Sequence, residues 1–285
     1  MDAKIAVIGG SGLYDIPGMN LLDKVNINTP FGKPSDAVHI LDLDGVPVAF
    51  LPRHGKGHRV NPTFVNSRAN MFLLKSIGVK FIISISAVGS LKEEIAPRDF
   101  VIPDQIIDRT KSRINSFFEP YAVHVGFADP FCADLAKILS ETSSETGVTV
   151  HKGGTYVCME GPLFSTKAES ALYRSWGASI IGMTSLPEAK LAREAEICYA
   201  TVALVTDYDV WKENEEVDIH QVLSNIKANT DNVKKLIKQT IPKIHQEKDC
   251  DCHSALANAF ITDSSLIPEA TRKAWGPLVN KYHKV

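Results

Sequence analysis

The apolar residues of the chain fall into short runs that alternate with helix-like segments. Eight runs have the length of strands, at residues 4–8, 39–43, 46–51, 81–85, 100–107, 155–159, 179–183 and 199–206. In the longer segments between them, apolar residues recur every three to four positions, which is typical of amphipathic helices. Strands that alternate with helices predict an α/β fold with a central, largely parallel or mixed sheet.

Local signals sharpen this pattern at several places. The Asp-Gly pair at residues 44–45 predicts a type I′ hairpin, and Pro47 favours an edge or a bulge for its second strand. The next buried run is expected to leave the sheet through the hydroxyl- and glycine-rich residues 86–90. Capping boxes at residues 166–169 and 185–188 are expected to open two helices.

One buried run ends abruptly in acidic residues. Residues 199–206 are apolar or small, as expected of a strand buried on both faces, and Asp207 and Asp209 follow. Carboxylates at such a position are costly unless a partner uses them. Because ligands of open α/β sheets bind at the carboxyl ends of strands, the pair predicts a binding site. An ordinary turn at the strand exit is the alternative.

Other strand ends carry residues suited to an anion. The glycine-rich residues 9–12 let backbone N–H groups approach a phosphate, although a tight turn needing positive φ explains them equally well. Asp15 stands where a dinucleotide-binding fingerprint has its third glycine, which weakens a nucleotide-binding interpretation. Residues 52–59 form a candidate anion pocket in which Arg53 could make a bidentate contact, with a solvated basic loop as the alternative. Several such ends in one sheet favour a single shared site.

The composition limits what the chain is expected to bind. The formal net charge is -2 and charged residues make up 22%, which gives no general attraction to nucleic acid or anionic membrane. Apolar runs are too short for a membrane span, and strand-like sequence from residue 4 predicts no signal peptide. Five cysteines, an odd number, indicate a cytoplasmic chain.

An ordered set of motifs from Ile5 to about Pro242 resembles the purine nucleoside phosphorylase family: GGSG, RHG, SAVGSL, EGPLFS, GMTSLPE and TDYDVW. The set is specific, although no single motif would be. The resemblance implies that family's single-domain α/β fold, with a partly barrel-like mixed sheet flanked by helices over residues 1–245. Residues 246–285 are similar to a helical extension of some bacterial and archaeal members, packed on the same domain or on a neighbouring subunit.

The resemblance implies phosphorolysis, in which inorganic phosphate attacks C1′ of a nucleoside as the purine leaves. Arginine and imidazole would supply charge-assisted donors to the phosphate, and hydroxyls and backbone N–H groups would complete its shell. The matching phosphate-binding positions are Ser11, Arg53, His54, Ser86, Ala87 and Thr184. Asp207 matches the catalytic position, where a carboxylic acid near N7 can neutralise charge that builds on the departing base.

Further positions match residues that bind the nucleoside. They are Met183, Phe164, Ser165, Asp207, Asp209, Ile219, Val222, His58 and His124. Met183 would lie along the ribose, the two carboxylates would face the purine, and the histidines would lie near the 5′ end of the sugar unless they are structural. The match to His124 comes from a neighbouring subunit in the family, which implies a homo-oligomer, either a trimer or a dimer of trimers.

Ser165 and Ile219 are expected to set the specificity. Members that use 6-oxopurines carry Glu at the place of Ser165 and Asn near that of Asp207, whereas a hydroxyl and two carboxylates suit the exocyclic amine of adenine. Ile219, with Val222 one turn on, stands where other members place a His for the 5′-hydroxyl. Unless both are plain helix core, they suit a methylthio group. The expected substrate is 5′-methylthioadenosine, with inosine, guanosine or methylthioinosine as the alternative. Leu163 replaces an Arg of close relatives, which leaves the anchoring of the purine loop open.

No cofactor is expected, because phosphate is itself the co-substrate, and no metal is expected. The expected partners are the nucleoside, phosphate and other copies of the chain, with neither nucleic acid nor membrane. The tail Cys250-Asp251-Cys252-His253 could form half of a metal site. Its two cysteines are closer in sequence than is usual for zinc ligands, however, and no matching second pair is evident. Reduced thiols are expected, and a strained Cys250–Cys252 disulfide is an alternative. Heat-adapted relatives imply Cys132–Cys198 as a further possible pair.

Overall fold

The computed structural model describes residues 2–10, 13, 16, 18–212 and 219–282, and for residues 219 and 221 the backbone alone. Its strands are β1 (Ile5–Gly9), β2 (Asn20–Val25), β3 (Val38–Leu43), β4 (Val46–Pro52), β5 (Phe81–Ser90), β6 (Phe100–Ile102), β7 (Gln105–Arg109), β8 (Val150–Lys152), β9 (Thr155–Met159), β10 (Ile180–Gly182) and β11 (Cys198–Asp207). Its helices are α1 (Ser67–Ser76), α2 (Ala133–Ser144), α3 (Lys167–Ser175), α4 (Glu188–Glu194), α5 (Ile219–Thr240) and α6 (Glu269–Trp275).

All these strands join one mixed sheet that branches at β5. One path runs β2-β3-β4-β1-β5-β10-β9-β7, while β11 pairs with β5 and leads to β6 and β8. β5 is parallel to β1 and β11 and antiparallel to β10. The carboxyl half of β5 is therefore the point where both branches meet.

The two faces of the sheet carry two cores. Successive residues of a strand point to opposite faces, so Ile82 and Ile83 of β5 enter different clusters. The first cluster packs the sheet against α1 and α4, and the second packs it against α2 and α5. Burial on both faces explains the continuous apolar runs of β1, β5 and β11.

The hairpin at residues 44–45 is confirmed, but its predicted position in the sheet is wrong. Asp44 and Gly45 have φ values of 50° and 87°, and β3 and β4 pair antiparallel. β4 lies inside the sheet, between β3 and β1. Proline has no backbone N–H to donate. It is tolerated at position 47 because a residue paired with Asp42 in this register directs its N–H away from β3. On the other side, β1 pairs with β4 only from Val48 onward.

Two other strand predictions are also wrong in their limits. β5 does not leave the sheet at residue 86, because β10 replaces β1 as its neighbour and pairs with Gly89 and Ser90. The run at 100–107 is not one strand: β6 and β7 are separated at Pro103, which cannot donate to a strand ladder.

One of the two capping boxes is confirmed. Thr166 accepts a hydrogen bond from the Glu169 amide, and the Glu169 side chain accepts one from the Thr166 amide. The box at 185–188 is wrong, because Ser185 Oγ lies 3.2 Å from Thr201 Oγ1 and the Glu188 carboxylate binds Arg53. An arginine is a stronger partner for a carboxylate than a helix amide is.

The C-terminal segment, described to residue 282, packs on the same chain. Leu256, Trp275 and Leu278 join the first core cluster. The prediction that the cysteine tail has no second pair is wrong, because Cys132 and Cys198 lie beside it. A domain boundary at residue 245 stays a prediction. Among the described helices, none has both the length and the apolar character needed to cross a membrane.

Candidate active site

At the carboxyl ends of β5 and β11, Asp207 and Asp209 pack closely against Gly89. The parallel register of the two strands sets Asp207 opposite Gly89. A Cβ atom on Gly89 would lie 2.8 Å from Asp207 Oδ1 and 3.3 Å from the backbone N of Asp209. Only glycine fits at position 89 without moving the two acidic residues.

Asp207 and Asp209 lie in a setting that favours their protonated forms. Thr206 Oγ1 donates to Asp207 Oδ2 at 2.7 Å, and the Asp209 amide donates to Asp207 Oδ1 at 2.8 Å. Burial raises the pKa of Asp207, and these two hydrogen bonds oppose the rise without cancelling it. Burial also raises the pKa of Asp209, which is 4% exposed. A carboxyl that retains its proton more readily suits a general acid.

Three hydroxyl groups meet beside β5, at a position three residues before Gly89. Ser86 Oγ lies 2.7 Å from Thr184 Oγ1 and 3.0 Å from the Tyr156 hydroxyl. Ser86 and Tyr156 are buried, while Thr184 is partly exposed. Tyr156 was not predicted as a site residue, because it stands inside the largely apolar run of β9. The three hydroxyls form a lining that can donate to a bound anion.

Arg53 enters the site at the end of β4, but its donors are largely used by the protein. Nε donates to Glu188 Oε1 at 2.6 Å, and Nη2 donates to Glu188 Oε2 at 3.0 Å. Nη2 also donates to Ser84 Oγ at 2.7 Å, and Nη1 donates to the Ile85 carbonyl at 2.8 Å. The predicted bidentate contact to an anion is therefore wrong, since Glu188 is the bidentate partner. One N–H group of Nη1 has no partner among the described residues.

His54 is a neutral ring near pH 7. Its Nδ1 lies 2.8 Å from the Val60 carbonyl, and since a carbonyl only accepts, Nδ1 carries the hydrogen and Nε2 the lone pair. Burial, together with the charge of Arg53, lowers the pKa of His54 to about 4. Without a bound anion this imidazole is not a charged donor, and its Nε2 can accept a hydrogen bond; its predicted role toward phosphate stays a prediction. The exposed ring of His58 stacks on it at 4.2 Å between centroids.

The loop after β9 folds tightly against Met183. A Cβ atom on Gly161 would lie 2.5 Å from Met183 Sδ, and Gly161 has a φ of 69°, so glycine is required there. Ser165 on this loop is buried, with its hydroxyl 3.8 Å from Met159 Sδ. Phe164 is exposed. Met183 therefore packs against the loop that carries Ser165.

Arg113 anchors this loop and was not predicted. Its side chain is buried and donates to the carbonyls of Met183 at 2.6 Å, Leu186 at 2.5 Å and Met159 at 3.2 Å. It also binds the Glu160 carbonyl and pairs with the Glu160 carboxylate at 3.3 Å. Four carbonyls and one carboxylate on a single guanidinium fix the loop that carries Leu163, whose anchor the sequence left open.

Some predicted positions lie outside the group of site residues described above. Ser11 and the side chain of Ile219 lie outside what the structure describes. Ala87 is exposed next to Ser86, and Val222 is buried on α5, so plain helix core remains an alternative for it. His124 is exposed, and its amide donates to the Ala259 carbonyl at 2.8 Å. Within the described residues, no contact joins its ring to the rest of the site.

The two ends of the site are separated along one strand. Ser86 and Gly89 are three residues apart on β5, which corresponds to about 10 Å at roughly 3.3 Å per residue. Hydroxyls and a guanidinium lie at one end, and carboxyls with raised pKa values lie at the other. Such a site can hold an anion and a polar ring at opposite ends of one reaction centre, with an acid beside the ring.

The model of the phosphorylase superfamily matches residues 4–242. The protein therefore belongs to the phosphorylase superfamily, and the resemblance found in its motifs is confirmed. More particularly, it is 51% identical over 284 residues to the S-methyl-5′-thioadenosine phosphorylase of Koribacter versatilis, a match that covers 99% of this chain and 97% of that protein.

Solved structures show the same fold. A methylthioadenosine phosphorylase sourced from an Antarctic soil metagenomic library has a TM-score of 0.93 and 48% identity, over 98% of this chain and 99% of its own. Methylthioadenosine phosphorylase from Schistosoma mansoni in complex with adenine has a TM-score of 0.86 and 33% identity, over 91% and 99%. The predicted α/β fold with a central mixed sheet and flanking helices is confirmed.

Proposed function

We propose that the protein catalyses phosphorolysis of 5′-methylthioadenosine to adenine and 5-methylthioribose 1-phosphate. The observation that carries this proposal is that a hydroxyl cluster at Ser86 and two acids beside Gly89 lie at positions three residues apart on β5, which is about 10 Å along the strand. A ribose fits between an anion at the first end and a purine at the second. The names of the relatives support the same reaction, and the S. mansoni structure is a complex with adenine.

At the phosphate end, donors and one acceptor match a protonated phosphate. Ser86 and Thr184 hydroxyls and the remaining Arg53 N–H donate to phosphate oxygens, while His54 Nε2 accepts from a phosphate O–H. Ser11 and Ala87 are proposed to complete the shell. Phosphate is then a co-substrate held beside C1′, and the reaction requires no organic cofactor.

At the purine end, Asp207 acts as the acid. The C1′–N9 bond breaks with its electron pair moving into the purine, and a phosphate oxygen forms the new bond to C1′. Asp207 delivers its proton to N7, which neutralises the base as it leaves. The raised pKa of this carboxyl supports that role. Asp209 and Ser165 are proposed to accept from the exocyclic amine of adenine, with Phe164 beside the ring.

The 5′ end of the substrate is assigned to Ile219, Val222 and Met183. Apolar side chains there leave a 5′-hydroxyl without a partner, which disfavours adenosine by up to about 10²-fold relative to a methylthio substrate. His58 and a neighbouring subunit's copy of His124 are proposed to close this end.

A second copy of the chain is proposed to cover the apolar surface around Glu160. Phe64 is 77% exposed and Leu163 is 81% exposed. Their two segments are neighbours, because Thr63 Oγ1 donates a hydrogen bond to the Glu160 carbonyl at 3.4 Å. Burying such side chains favours association. We propose a trimer or a dimer of trimers in the cytoplasm, and analytical ultracentrifugation tests the assembly. A monomer at micromolar concentration would contradict it.

The reaction is tested by measuring kcat/KM for methylthioadenosine, adenosine and inosine with phosphate present. Methylthioadenosine is expected to be preferred, and adenine release is expected to require phosphate. Preference for inosine would overturn the assignment of the base. Adenine release that is independent of phosphate would overturn phosphorolysis itself.

The 5′ specificity is tested with Ile219→His. The new imidazole offers a partner to a 5′-hydroxyl, so the ratio of kcat/KM for adenosine over methylthioadenosine is expected to rise. Leu223→His is the matched control, because Leu223 is exposed on the same helix. Equal ratios in both variants would remove Ile219 from the substrate site.

A further inference from the structure

Four cysteines from distant parts of the chain converge at the opposite end of β11. Cys132 precedes α2, Cys198 opens β11, and Cys250 and Cys252 belong to the tail. Their four Sγ atoms all lie within 4.8 Å of one another. Three of the cysteines are buried and Cys250 is partly buried. Such a cluster is a set of soft ligands in one small volume.

The spacing of the sulfurs matches a tetrahedral metal site. Four thiolates at about 2.3 Å from a zinc ion stand roughly 3.8 Å apart along each edge of the tetrahedron. The Sγ atoms of Cys132 and Cys250 are 3.8 Å apart. We propose that these four cysteines bind one structural Zn²⁺ ion. A metal ion here contradicts the expectation of a chain without metal, which rested on the short spacing of Cys250 and Cys252 and on the lack of an evident second pair.

The surroundings fit a site with four sulfur ligands. His253 Nε2 lies 3.4 Å from the Lys80 carbonyl and 3.5 Å from Cys198 Sγ. Since the carbonyl can only accept, Nε2 carries a hydrogen and can share it with the sulfur, so His253 orients a ligand and is not itself one. Cys132 is the N-cap residue of α2, where the unpaired N–H groups of the first turn favour a thiolate.

The proposed step is coordination without oxidation. Zn²⁺ displaces one proton from each of the four thiols, forms four Zn–S bonds and leaves no open position for substrate or water. Cys198 and Asp207 are the two ends of the ten-residue β11, about 30 Å apart. The site therefore stabilises the fold: it ties the tail, which also contributes Leu256 to the core, to α2 and β11.

The test uses full-length protein without an affinity tag, purified under reducing conditions. One zinc per chain is expected by mass spectrometry of the metal, together with five titratable thiols after chelation in denaturant. Cys250→Ser and Cys252→Ser are expected to lose most of the zinc. Cys158→Ser is the matched control, since Cys158 is buried on β9 outside the cluster, and it should keep the metal.

A second measurement does not depend on variants that fold. Wild-type protein stripped of metal is titrated with Co²⁺ under reducing conditions. Saturation at one Co²⁺ per chain, with the absorption of a tetrahedral thiolate complex, supports the site. If the purified protein has five titratable thiols and binds neither zinc nor cobalt, the cysteines are free and the proposal is overturned. Fewer than five thiols, with no metal, would overturn it in favour of disulfides.

Discussion

The buried ion pair between Arg53 and Glu188 is expected to link the stability of the fold to the proposed phosphate binding. The two side chains are 4% and 3% exposed. Besides Arg53, the Glu188 carboxylate accepts from Ser84 Oγ at 3.1 Å and from the Tyr199 hydroxyl at 3.0 Å. Glu188→Gln keeps the shape of the side chain but removes its charge and turns one acceptor into a donor. That donor then faces Arg53, Ser84 or Tyr199, which all donate to Glu188.

The expected cost follows from the hydrogen bonds that this substitution weakens. Two charge-assisted hydrogen bonds at about 1.5–3 kcal/mol each give about 3–6 kcal/mol. Removing one partner of a buried ion pair generally lowers the free energy of unfolding by about 3–5 kcal/mol, which agrees with the range obtained from the hydrogen bonds. A guanidinium that shifts by about 1 Å is further expected to lower kcat/KM for phosphate by about 10²-fold.

The assay is urea unfolding at pH 7 at a fixed protein concentration, combined with kinetics at varied phosphate. The double variant Arg53→Met/Glu188→Leu separates the two effects, because apolar residues in place of a buried pair are often neutral for stability. It should unfold at higher urea than Glu188→Gln and still bind phosphate poorly. A Glu188→Gln protein within about 1 kcal/mol of wild type, with unchanged phosphate kinetics, would refute the reasoning.

Four further changes test other parts of the structure. Asp207→Asn should lower kcat by about 10²–10⁴-fold, yet raise the free energy of unfolding at pH 8, because burial raises the pKa of the carboxyl and penalises its charged form; near-normal turnover would remove Asp207 from the chemistry. Burial raises the pKa of Glu194 to about 7, so the folded state binds an extra proton between pH 4.5 and 7 and loses about 3 kcal/mol of stability as the pH rises through that window. Glu194→Gln should abolish that loss in unfolding titrations at pH 5 and 8, and an unchanged pH dependence would contradict this. Tyr156→Phe should raise KM for phosphate roughly five-fold, since the Ser86 hydroxyl loses one partner worth about 1 kcal/mol; a change confined to the nucleoside KM would contradict it. Gly89→Ala should lower kcat/KM by about 10²-fold, because its Cβ would lie 2.8 Å from Asp207 Oδ1, and full activity would show that the strands can separate.

Features that depend on neighbouring residues were predictable from the sequence. The hairpin at residues 44–45, the capping box at 166–169 and the buried strand before Asp207 all rest on contacts within a few positions. The acidic end of β11 was also predicted to be a site, because charges after a buried run need a partner, and that function stays a prediction. Burial raises the pKa of Asp207. The sequence indicated that burial only through the apolar residues that precede Asp207.

Contacts between distant segments were not predictable in the same way. Glu188 satisfies the local pattern of a capping box, but a cation 135 residues away in the chain binds it more strongly than a helix amide would. Arg113 is one residue of an irregular segment until the fold places four carbonyls around it. Cys132 and Cys250 are 118 residues apart, so their spacing along the chain carries no metal-binding signal.

β11 connects two features whose effects should separate. Its first residue, Cys198, belongs to the cysteine cluster, and its last residue, Asp207, belongs to the proposed catalytic end. The cluster is proposed to hold the tail by coordination, so losing it should lower stability and leave the positions of Asp207 and Gly89 intact. The buried carboxyl of Asp207 acts in the opposite sense, because its charged form destabilises the strand end that it serves. The stabilising contacts of the cysteine cluster at Cys198 can therefore offset the destabilising burial of the Asp207 carboxyl at the other end of the same strand.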